Sequence, residues 1–305
     1  MQRLDSIADA RAWRHSRNHA QRGSVGFVPT MGALHQGHIS LVRRSLAETD
    51  TTLVSIFLNP LQFAAGEDLA CYPRDLDADL RLLQDAGVDA VFLPTEGTMY
   101  PPGFDTRVEV GGPLTQVLEA ASRPSHFRGV TTVVTKLMQI AQADRCYFGM
   151  KDAQQILVLA KLVRDLAIPT TIVPVPTVRD ADGMALSSRN VYLSDADRRA
   201  ATAISRALRS ARTRFDAGER NAETLRRGTR AVLAEEPSIQ VDYVSCAALD
   251  TLREIDQIDG AALLSIAATV GGAHLIDNEW LGLPPGLDQP HADRSVLPPS
   301  LRSTP

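Results

Sequence analysis

Cysteine is scarce in this chain, and the residues that occur are far apart. Cys71, Cys146 and Cys246 form no Cys-x-x-Cys pair. This spacing argues against a disulfide framework and against a zinc site built from thiolates. We therefore expect reduced, partly buried thiols that take no part in the chemistry.

Long apolar runs are also missing. No stretch approaches the roughly 20 apolar residues that a membrane-spanning helix needs. The N-terminal segment MQRLDSIADARAWRHSRN mixes charged and apolar side chains and contains no apolar core of signal-peptide length. We therefore expect a cytoplasmic protein that does not bind membranes.

An excess of positive charge is absent as well. The formal net charge is −4, from 32 Lys and Arg against 36 Asp and Glu. No overall basic field therefore draws the chain to nucleic acid or to anionic lipid. The chain also lacks a basic module of the kind that binds an anticodon, so we expect no nucleic-acid partner.

The chain does contain a regular alternation of strand-like and helix-like segments, and its 305 residues suffice for two domains. Apolar runs typical of buried strands are Val25–Val28, Leu53–Leu58, Val88–Leu93, Arg145–Phe148 and Thr170–Val175. Amphipathic segments between them are Ile39–Glu48, Leu76–Ala86, Val130–Ala141 and Gln154–Leu166. This alternation predicts an α/β fold: a Rossmann-like, doubly wound parallel sheet with helices on both faces.

The pattern changes after Asn190. Ser194 and the acids that follow it are typical of a helix start, and a second helical pattern follows near Ala222. Strand-like runs then occur at Gln240–Cys246, Ala261–Ala268 and Ala273–Ile276. We predict a first domain at 1–178, a smaller α+β domain at 179–283, and a Pro-rich, disordered or surface-draped tail at 284–305.

The segment PTMGALHQGH, residues 29–38, lies where the first predicted strand passes into a helix. Its histidines could be exposed turn residues, or a metal pair, although no third ligand is near. In an open α/β sheet, however, ligands bind beyond the carboxyl ends of the strands, where a helix N-terminus favours anions. His35 and His38 can donate hydrogen bonds to phosphate there and become cationic as charge builds. The segment therefore predicts a nucleotide site without a P-loop.

Two further motifs supply cations and hydroxyls. In YFGMKDAQQ, Lys151 follows a strand and Asp152 can cap the next helix. In MALSSRN, Ser187, Ser188 and Arg189 offer two hydroxyls and a guanidinium, which suit phosphate. Gly183 and the serines suggest that the loop at 182–190 closes over a ligand.

Taken in order, these motifs resemble the pantothenate synthetase (pantoate–β-alanine ligase) family of the nucleotidyltransferase superfamily. The resemblance runs from about Gly26 to Asp277. It rests on PTMGALHQGHISLVRRS, SIFLNPLQF, CYPRDLDADL, RPSHFRGVTTVVTKL, FGMKDAQQ, VPTVRDADGMALSSRNVYLS and LIDN. It implies the fold of class I aminoacyl-tRNA synthetase catalytic domains, with a C-terminal domain that closes over the substrates.

The resemblance also implies a reaction. ATP and (R)-pantoate form pantoyl adenylate and pyrophosphate, and β-alanine then attacks the adenylate to give pantothenate and AMP, on the route to coenzyme A. Mg²⁺ accompanies ATP, and the enzymes of this family are homodimers.

Site residues are implied by the same resemblance. The ATP contacts would be Met31, Gly32, Ala33, Leu34, His35, Gln36, Gly37, His38, Gly149, Met150, Lys151, Asp152, Val178, Leu186, Ser187, Ser188 and Arg189. The catalytic candidates among them are His38, His35, Lys151 and Arg189. Gln62 and Gln155 would contact pantoate, and Gln62 would also lie by the β-alanine site. We add Asn59, Pro29 and Thr30 as contacts for these two substrates. The metal ligands are unassigned, with Asp79 a candidate for Mg²⁺.

The chain departs from the family pattern at three positions. Met150 stands where Glu is usual, Ala153 where an aromatic residue is common, and Ala78 beside Asp79 where an acidic pair is frequent. These departures leave open a catalytically degenerate ATP-binding paralogue. Another nucleotidyltransferase with the His-x-Gly-His motif is a second alternative, which uncharged amides such as Gln62 disfavour because a phosphate substrate would call for more cations.

Overall fold

A parallel sheet forms the centre of the N-terminal part of the chain. The computed structural model describes residues 1–18, 23–64 and 66–283, so the predicted tail at 284–305 lies outside the described residues. The strands are β1 (Gln2–Leu4), β2 (Val25–Thr30), β3 (Thr51–Ile56), β4 (Ala90–Phe92), β5 (Arg145–Gly149) and β6 (Thr171–Val175). Their order in the sheet is β1-β4-β3-β2-β5-β6, and every pairing is parallel.

Helices connect these strands and cover both faces of the sheet. They are α1 (Ile7–Asn18), α2 (Gln36–Glu48), α3 (Leu76–Asp85), α4 (Glu96–Met99), α5 (Glu119–Ser122), α6 (His126–Ala141) and α7 (Ala153–Asp165). Phe27 and Leu53 face a core that includes residues of α1, α6 and α7, whereas Val28 and Val54 face a second core with α2 and α3. Successive residues of a strand point to opposite faces, so the two cores confirm the doubly wound α/β fold.

A smaller antiparallel sheet follows in the C-terminal part. Its elements are α8 (Asp195–Asp216), α9 (Ala222–Leu233), β7 (Gln240–Ala248), β8 (Ala262–Val270) and β9 (Ala273–Leu281). The strand order is β7-β8-β9, and α8 and α9 share a core with one face of this sheet. Ser194 caps α8 by accepting the backbone N–H of Asp197, as its sequence predicts.

The two sheets share apolar contacts. Ala247, Leu263 and Trp280 of the antiparallel sheet are buried in the same cluster as Phe148 and Leu157 of the parallel-sheet part. The C-terminal sheet therefore has its helices on one face and the N-terminal part on the other. Within the described ranges, no helix combines the length and apolarity needed to cross a membrane.

Candidate active site

The two histidines of the His-x-Gly-His segment cap the helix that follows them. His35 is the N-cap of α2, and its Nδ1 accepts the backbone N–H of Gly37 at 3.1 Å. The Nδ1 of His38 accepts the backbone N–H of His35 at 3.3 Å, and the ring centroids are 4.1 Å apart. Because both Nδ1 atoms accept a hydrogen bond, the proton of each neutral imidazole lies on Nε2. The start of α2 therefore offers two N–H donors.

Gly37 is required for this cap. A Cβ added at residue 37 would lie 2.8 Å from both Cε1 and Nδ1 of His35. Any side chain there would displace the imidazole from its backbone partner. The glycine between the two histidines thus keeps the first ring in its capping position.

Both imidazoles are neutral at neutral pH. Burial, helped by the charge of Lys151, lowers the pKa of His35 to about 4. Burial and the neighbouring His35 lower the pKa of His38 to about 3. Without a ligand these rings are therefore neutral, because burial disfavours the charged form; that they become cationic as charge builds on bound phosphate stays a prediction.

Asp79 supports the loop that leads to α2. Its side-chain oxygens accept the backbone N–H groups of Ala33 at 3.0 Å and Leu34 at 2.7 Å, and the residue is only 3% exposed. Both oxygens are thus engaged by the chain itself. No group of three or more His, Cys, Asp or Glu in the described ranges could hold a metal ion. The geometry favours a structural role for Asp79 over the Mg²⁺ ligand suggested from sequence.

Lys151 lies on a 3-10 turn, Met150–Asp152, at the carboxyl end of β5. Its Nζ is 3.3 Å from Oδ1 of Asp152. Asp152 occupies the N-cap position of α7, as predicted. Its side chain makes no capping hydrogen bond, because the carboxylate pairs with Lys151. Burial alone would raise the pKa of Asp152, but Lys151 holds it below its usual value.

The C-terminal sheet holds this turn through its backbone. The Nδ2 of Asn278 donates to the carbonyls of Met150 at 3.0 Å and Lys151 at 2.7 Å. The indole N–H of Trp280 also donates to the Met150 carbonyl, at 3.4 Å. The Met150 side chain packs against the large shared core. Residue 150 is therefore anchored through its carbonyl group, and this anchor does not need the glutamate that the family resemblance implies there.

The serine-rich loop at 182–190 is hydrogen-bonded to the segment that precedes it. The backbone N–H of Leu186 donates to the Val178 carbonyl at 3.0 Å, which brings these two predicted ATP contacts together. Ser187 caps the 3-10 turn Ser188–Tyr192 by accepting the Arg189 backbone N–H at 3.3 Å.

Arg189 makes a bidentate ion pair with a residue that the sequence motifs left unassigned. Its Nε and Nη2 donate to the two carboxylate oxygens of Asp68, each at 3.0 Å. A second bond joins the same two segments, because the hydroxyls of Tyr72 and Ser188 are 2.9 Å apart. The segment after the Gln62 turn therefore holds the loop that carries Arg189.

One large cavity, of about 1060 Å³, opens between the two sheets. Seven of the predicted site residues line it, namely Met31, Gln62, Lys151, Asp152, Gln155, Ser187 and Arg189. The candidates from four separate segments thus meet at one cavity.

The predicted substrate contacts differ in how accessible they are. Gln62 lines the cavity, and its Nε2 lies 3.0 Å from Sδ of Met31. Asn59 is 1% exposed, and its Nδ2 donates to Oε1 of Gln62 at 3.0 Å. Pro29 and Thr30 belong to β2, where the Thr30 hydroxyl donates to the Ser55 carbonyl at 2.8 Å. Thr30 therefore ties β2 to β3, and its role as a substrate contact stays a prediction.

Sequence reasoning missed several residues that contact the predicted ones. Asn278 is the last residue of the LIDN motif, so that motif contained a signal for it. Asp68 lies between the motifs SIFLNPLQF and CYPRDLDADL, and no quoted motif contains it. Tyr100, whose hydroxyl donates to Oδ1 of Asn59 at 2.7 Å, lies outside those motifs. Tyr100 is 41 positions from Asn59 in the sequence, and only the tertiary structure brings the two side chains together.

A model of the pantoate-beta-alanine ligase family matches residues 2–280. Pantothenate synthetase of Roseiflexus castenholzii is 52% identical over 278 residues, which cover 91% of this chain and 98% of that protein. Pantothenate synthetase of Chloroflexus aurantiacus is 57% identical over 259 residues, covering 84% of this chain and 91% of its own.

Solved structures agree with these relatives. Pantothenate synthetase from Thermus thermophilus is 46% identical with a TM-score of 0.87, covering 92% of this chain and 99% of that one. The ligase from Francisella tularensis, solved with beta-gamma ATP and beta-alanine, is 35% identical with a TM-score of 0.75, covering 92% and 97%. The chain therefore belongs to the pantoate-beta-alanine ligase family, and the enzyme class predicted from its motifs is confirmed.

Proposed function

We propose that this ligase joins (R)-pantoate to β-alanine in two steps at the cavity between the sheets. In the first step, a pantoate carboxylate oxygen attacks the α-phosphorus of ATP and the bond to pyrophosphate breaks, which leaves pantoyl adenylate. In the second, the neutral amine of β-alanine attacks the acyl carbon and AMP leaves. Adenylation is needed because a free carboxylate is a poor electrophile, whereas AMP is a good leaving group.

The observation that carries this proposal is the pair of capping histidines. Each Nδ1 accepts a backbone N–H, so we assign each Nε2–H as a donor to a phosphate oxygen at the N-terminus of α2. The two rings are not among the residues that line the cavity, but they lie near enough to Lys151 for its charge to lower both pKa values. Negative charge moves onto the phosphates in the first step, and fixed donors in a buried site stabilise that charge without reorganising. Neutral donors are also compatible with pKa values of about 4 and about 3.

Lys151 and Arg189 supply the positive charge in this proposal. Both line the cavity, and Asp152 and Asp68 hold their charged groups in place. A guanidinium suits phosphate because its fork of donors matches two phosphate oxygens. We assign Ser187 and Ser188 as hydroxyl donors beside it. No side chain is given the role of a nucleophile.

Mg²⁺ enters this scheme as part of the substrate MgATP. Mg²⁺ in such sites keeps several waters and is bound largely through substrate phosphates. This is consistent with the part of the chain that the structure describes, in which no three metal-ligating side chains form a cluster. Asp79 is then left to hold the loop at Ala33 and Leu34.

Gln62 and Gln155 line the same cavity and are our candidates for pantoate. Uncharged amides suit a substrate with two hydroxyl groups, because they bind these without opposing the charge of the carboxylate. The degenerate-paralogue alternative loses its main support, since Met150 is anchored through its carbonyl and the candidate cations are present.

AMP release from MgATP tests this function. The purified protein would be assayed with pantoate alone, with β-alanine alone and with both. We expect sustained AMP release only with both substrates. We expect His38→Ala to lower the rate at least about a hundredfold, the scale of one lost donor to a developing charge.

His15→Ala is the matched control, because this histidine is exposed on α1. It should retain the full rate. No AMP with both substrates, despite binding of MgATP, would overturn the ligase proposal for this chain. An unchanged rate in His38→Ala would overturn the assignment of the site.

Two further expectations rest on the family alone. We propose that the enzyme is a homodimer and that it works in the cytoplasm. Light scattering after size-exclusion chromatography would test the first, and a mass of one chain would contradict it. Fractionation of the native cells would test the second.

A further inference from the structure

The side-chain amide of Asn59 is fully used inside the protein. Its Oδ1 accepts the Tyr100 hydroxyl at 2.7 Å and the Leu61 backbone N–H at 3.3 Å. Its Nδ2 donates to the Gly129 carbonyl at 3.2 Å and to Oε1 of Gln62 at 3.0 Å. An amide has two donors and an acceptor with two lone pairs, so no position remains for a substrate.

The orientation of this amide follows from its backbone partners. The Gly129 carbonyl can only accept a hydrogen bond, so the Asn59 atom beside it must be nitrogen. The Leu61 N–H can only donate, so the atom beside it must be oxygen. A flipped amide would place like groups against each other at both positions and is excluded.

The orientation of Gln62 follows in turn. Because Asn59 presents its NH₂ group, the Gln62 atom that meets it must be Oε1. Nε2 of Gln62 is then directed toward the sulfur of Met31, a weak acceptor at the cavity wall. Gln62 therefore offers donors to the cavity and withholds its carbonyl oxygen.

Tyr100 is held so that its hydroxyl reaches only this network. Its ring centroid is 5.9 Å from that of Phe57 and 5.0 Å from that of Phe104. Nζ of Lys136 lies 5.8 Å from the Tyr100 ring centroid and donates to the Met99 carbonyl. Burial raises the pKa of Tyr100, so its hydroxyl stays protonated and donates to Asn59.

The backbone beneath the network is packed closely. A Cβ at residue 129 would lie 2.1 Å from the Leu61 carbonyl oxygen, so only glycine lets α6 approach the turn Pro60–Gln62. This contact brings the Gly129 carbonyl within reach of Asn59. The amide is thus fixed by two backbone segments and one phenol.

We propose that Tyr100 is a positioning residue for pantoate: through Asn59, it fixes Gln62 with its NH₂ group facing the substrate. This rests on the proposed function of the cavity. A donor at this position favours an oxygen acceptor of an anionic hydroxy acid, whereas a carbonyl would repel the carboxylate. Asn59 acts by orienting Gln62 and does not touch the substrate.

Tyr100→Phe tests the proposal by removing one oxygen and keeping the ring. Initial rates would be measured while pantoate, ATP and β-alanine are varied in turn. We expect KM for pantoate to rise about fivefold, the scale of one neutral hydrogen bond. KM for ATP should stay within about twofold, because Tyr100 acts only through Gln62, which is not among the predicted ATP contacts.

A double-mutant cycle separates positioning from general loss of structure. In a Gln62→Ala background, Tyr100→Phe should raise KM for pantoate by less than about twofold, because the amide that Tyr100 orients is no longer present. Coupling of this kind is the expected mark of residues that act through one another. Equal effects of Tyr100→Phe in both backgrounds would overturn the proposal.

Tyr147→Phe is the matched control. Its hydroxyl lies 3.1 Å from Oε2 of Glu48 at the end of α2, and neither residue lines the cavity. It should leave all three KM values unchanged. If the wild-type enzyme makes no pantothenate, the proposed function fails; if it is active but Tyr100→Phe leaves KM for pantoate unchanged, only the positioning role fails.

Discussion

The histidines at the start of α2 predict how stability changes with pH. In the unfolded chain they take up protons below about pH 6.5, whereas the folded rings stay neutral down to about 4 for His35 and about 3 for His38. The unfolded state therefore binds more protons in this window. We expect these groups to lower the free energy of unfolding as the pH falls from 7 to 4. Urea unfolding at a series of pH values would measure this change in the free energy of unfolding.

His38→Gln isolates the contribution of one ring. Glutamine at the third helical position can still accept the N-cap backbone N–H, so the cap should survive. Between pH 7 and 4 the variant should lose less stability than the wild type. Equal losses would mean that burial does not depress the pKa of His38.

Ser245 offers a separate stability prediction. Ser245 is 2% exposed, and its hydroxyl has no hydrogen-bond partner within the described part of the chain. A buried hydroxyl without a partner carries a desolvation cost, so Ser245→Ala should leave the protein equally stable or up to about 1 kcal/mol more stable. Thermal and urea unfolding would measure this, and a loss of more than about 1 kcal/mol would contradict it.

Individual side chains show where sequence reasoning stops. The motifs predicted that His35, His38, Lys151 and Arg189 belong to one site, because parallel strands bring their following loops to one edge. They did not predict that the imidazoles are neutral, since burial depends on the packing of distant segments. Tyr100 escaped notice for the same reason: no local pattern links it to a residue 41 positions earlier.

The loop Ser187–Tyr192 depends on its partner segment. Asp68 holds the Arg189 guanidinium through two bonds, and both side chains are partly exposed. A solvent-exposed pair contributes about 0–1 kcal/mol to stability, and this half-buried, bidentate pair contributes more than that. We therefore expect Asp68→Asn to lower the free energy of unfolding by about 1–3 kcal/mol, the scale of a hydrogen bond to a charged group. KM for ATP should rise several-fold, because Arg189 is no longer oriented.

Asp165→Asn is the comparison for this charge change. Asp165 pairs with Lys161 on the surface of α7, away from the cavity lining. It should leave KM for ATP unchanged. If both variants behave alike, Asp68 has no role in placing Arg189.

Most strands and helices could be predicted because their apolar patterns are long. The runs at Val25–Val28 and Arg145–Phe148 became β2 and β5 with small changes at their ends. β1 was missed because it spans three residues and buries only Leu4. α2 begins three residues before the predicted Ile39, since its first turn is polar and is fixed by His35.

The shared core predicts how the chain unfolds. Trp280 lies on β9, yet it packs with residues of the parallel-sheet part and bonds to the Met150 carbonyl. The sequence contains two tryptophans, so Trp13→Phe leaves Trp280 as the only indole probe. We expect its fluorescence and the far-ultraviolet circular dichroism to report one coincident transition. A fluorescence change at lower denaturant would mean that the C-terminal part detaches first.

The proposed boundary at residue 178 therefore separates two sheets, but it does not separate two parts that we expect to unfold independently. The antiparallel sheet shields part of the parallel-sheet core and carries Asn278, which bonds to the turn that bears Lys151. The chain's pattern change after Asn190 predicted a second unit, but apolar periodicity carries no information on which surfaces meet. The boundaries at 178 and 283 remain our proposal.

The anchoring of Met150 by its carbonyl has a consequence for substitutions at that position. Every residue type brings a main-chain carbonyl, so Asn278 and Trp280 can hold position 150 whatever side chain it carries. A substitution at position 150 therefore keeps these bonds and changes only the packing of the side chain against the shared core, whereas a substitution of Asn278 removes two bonds at once. Methionine in place of the glutamate that the family resemblance implies at position 150 therefore leaves the turn that bears Lys151 attached to the C-terminal sheet.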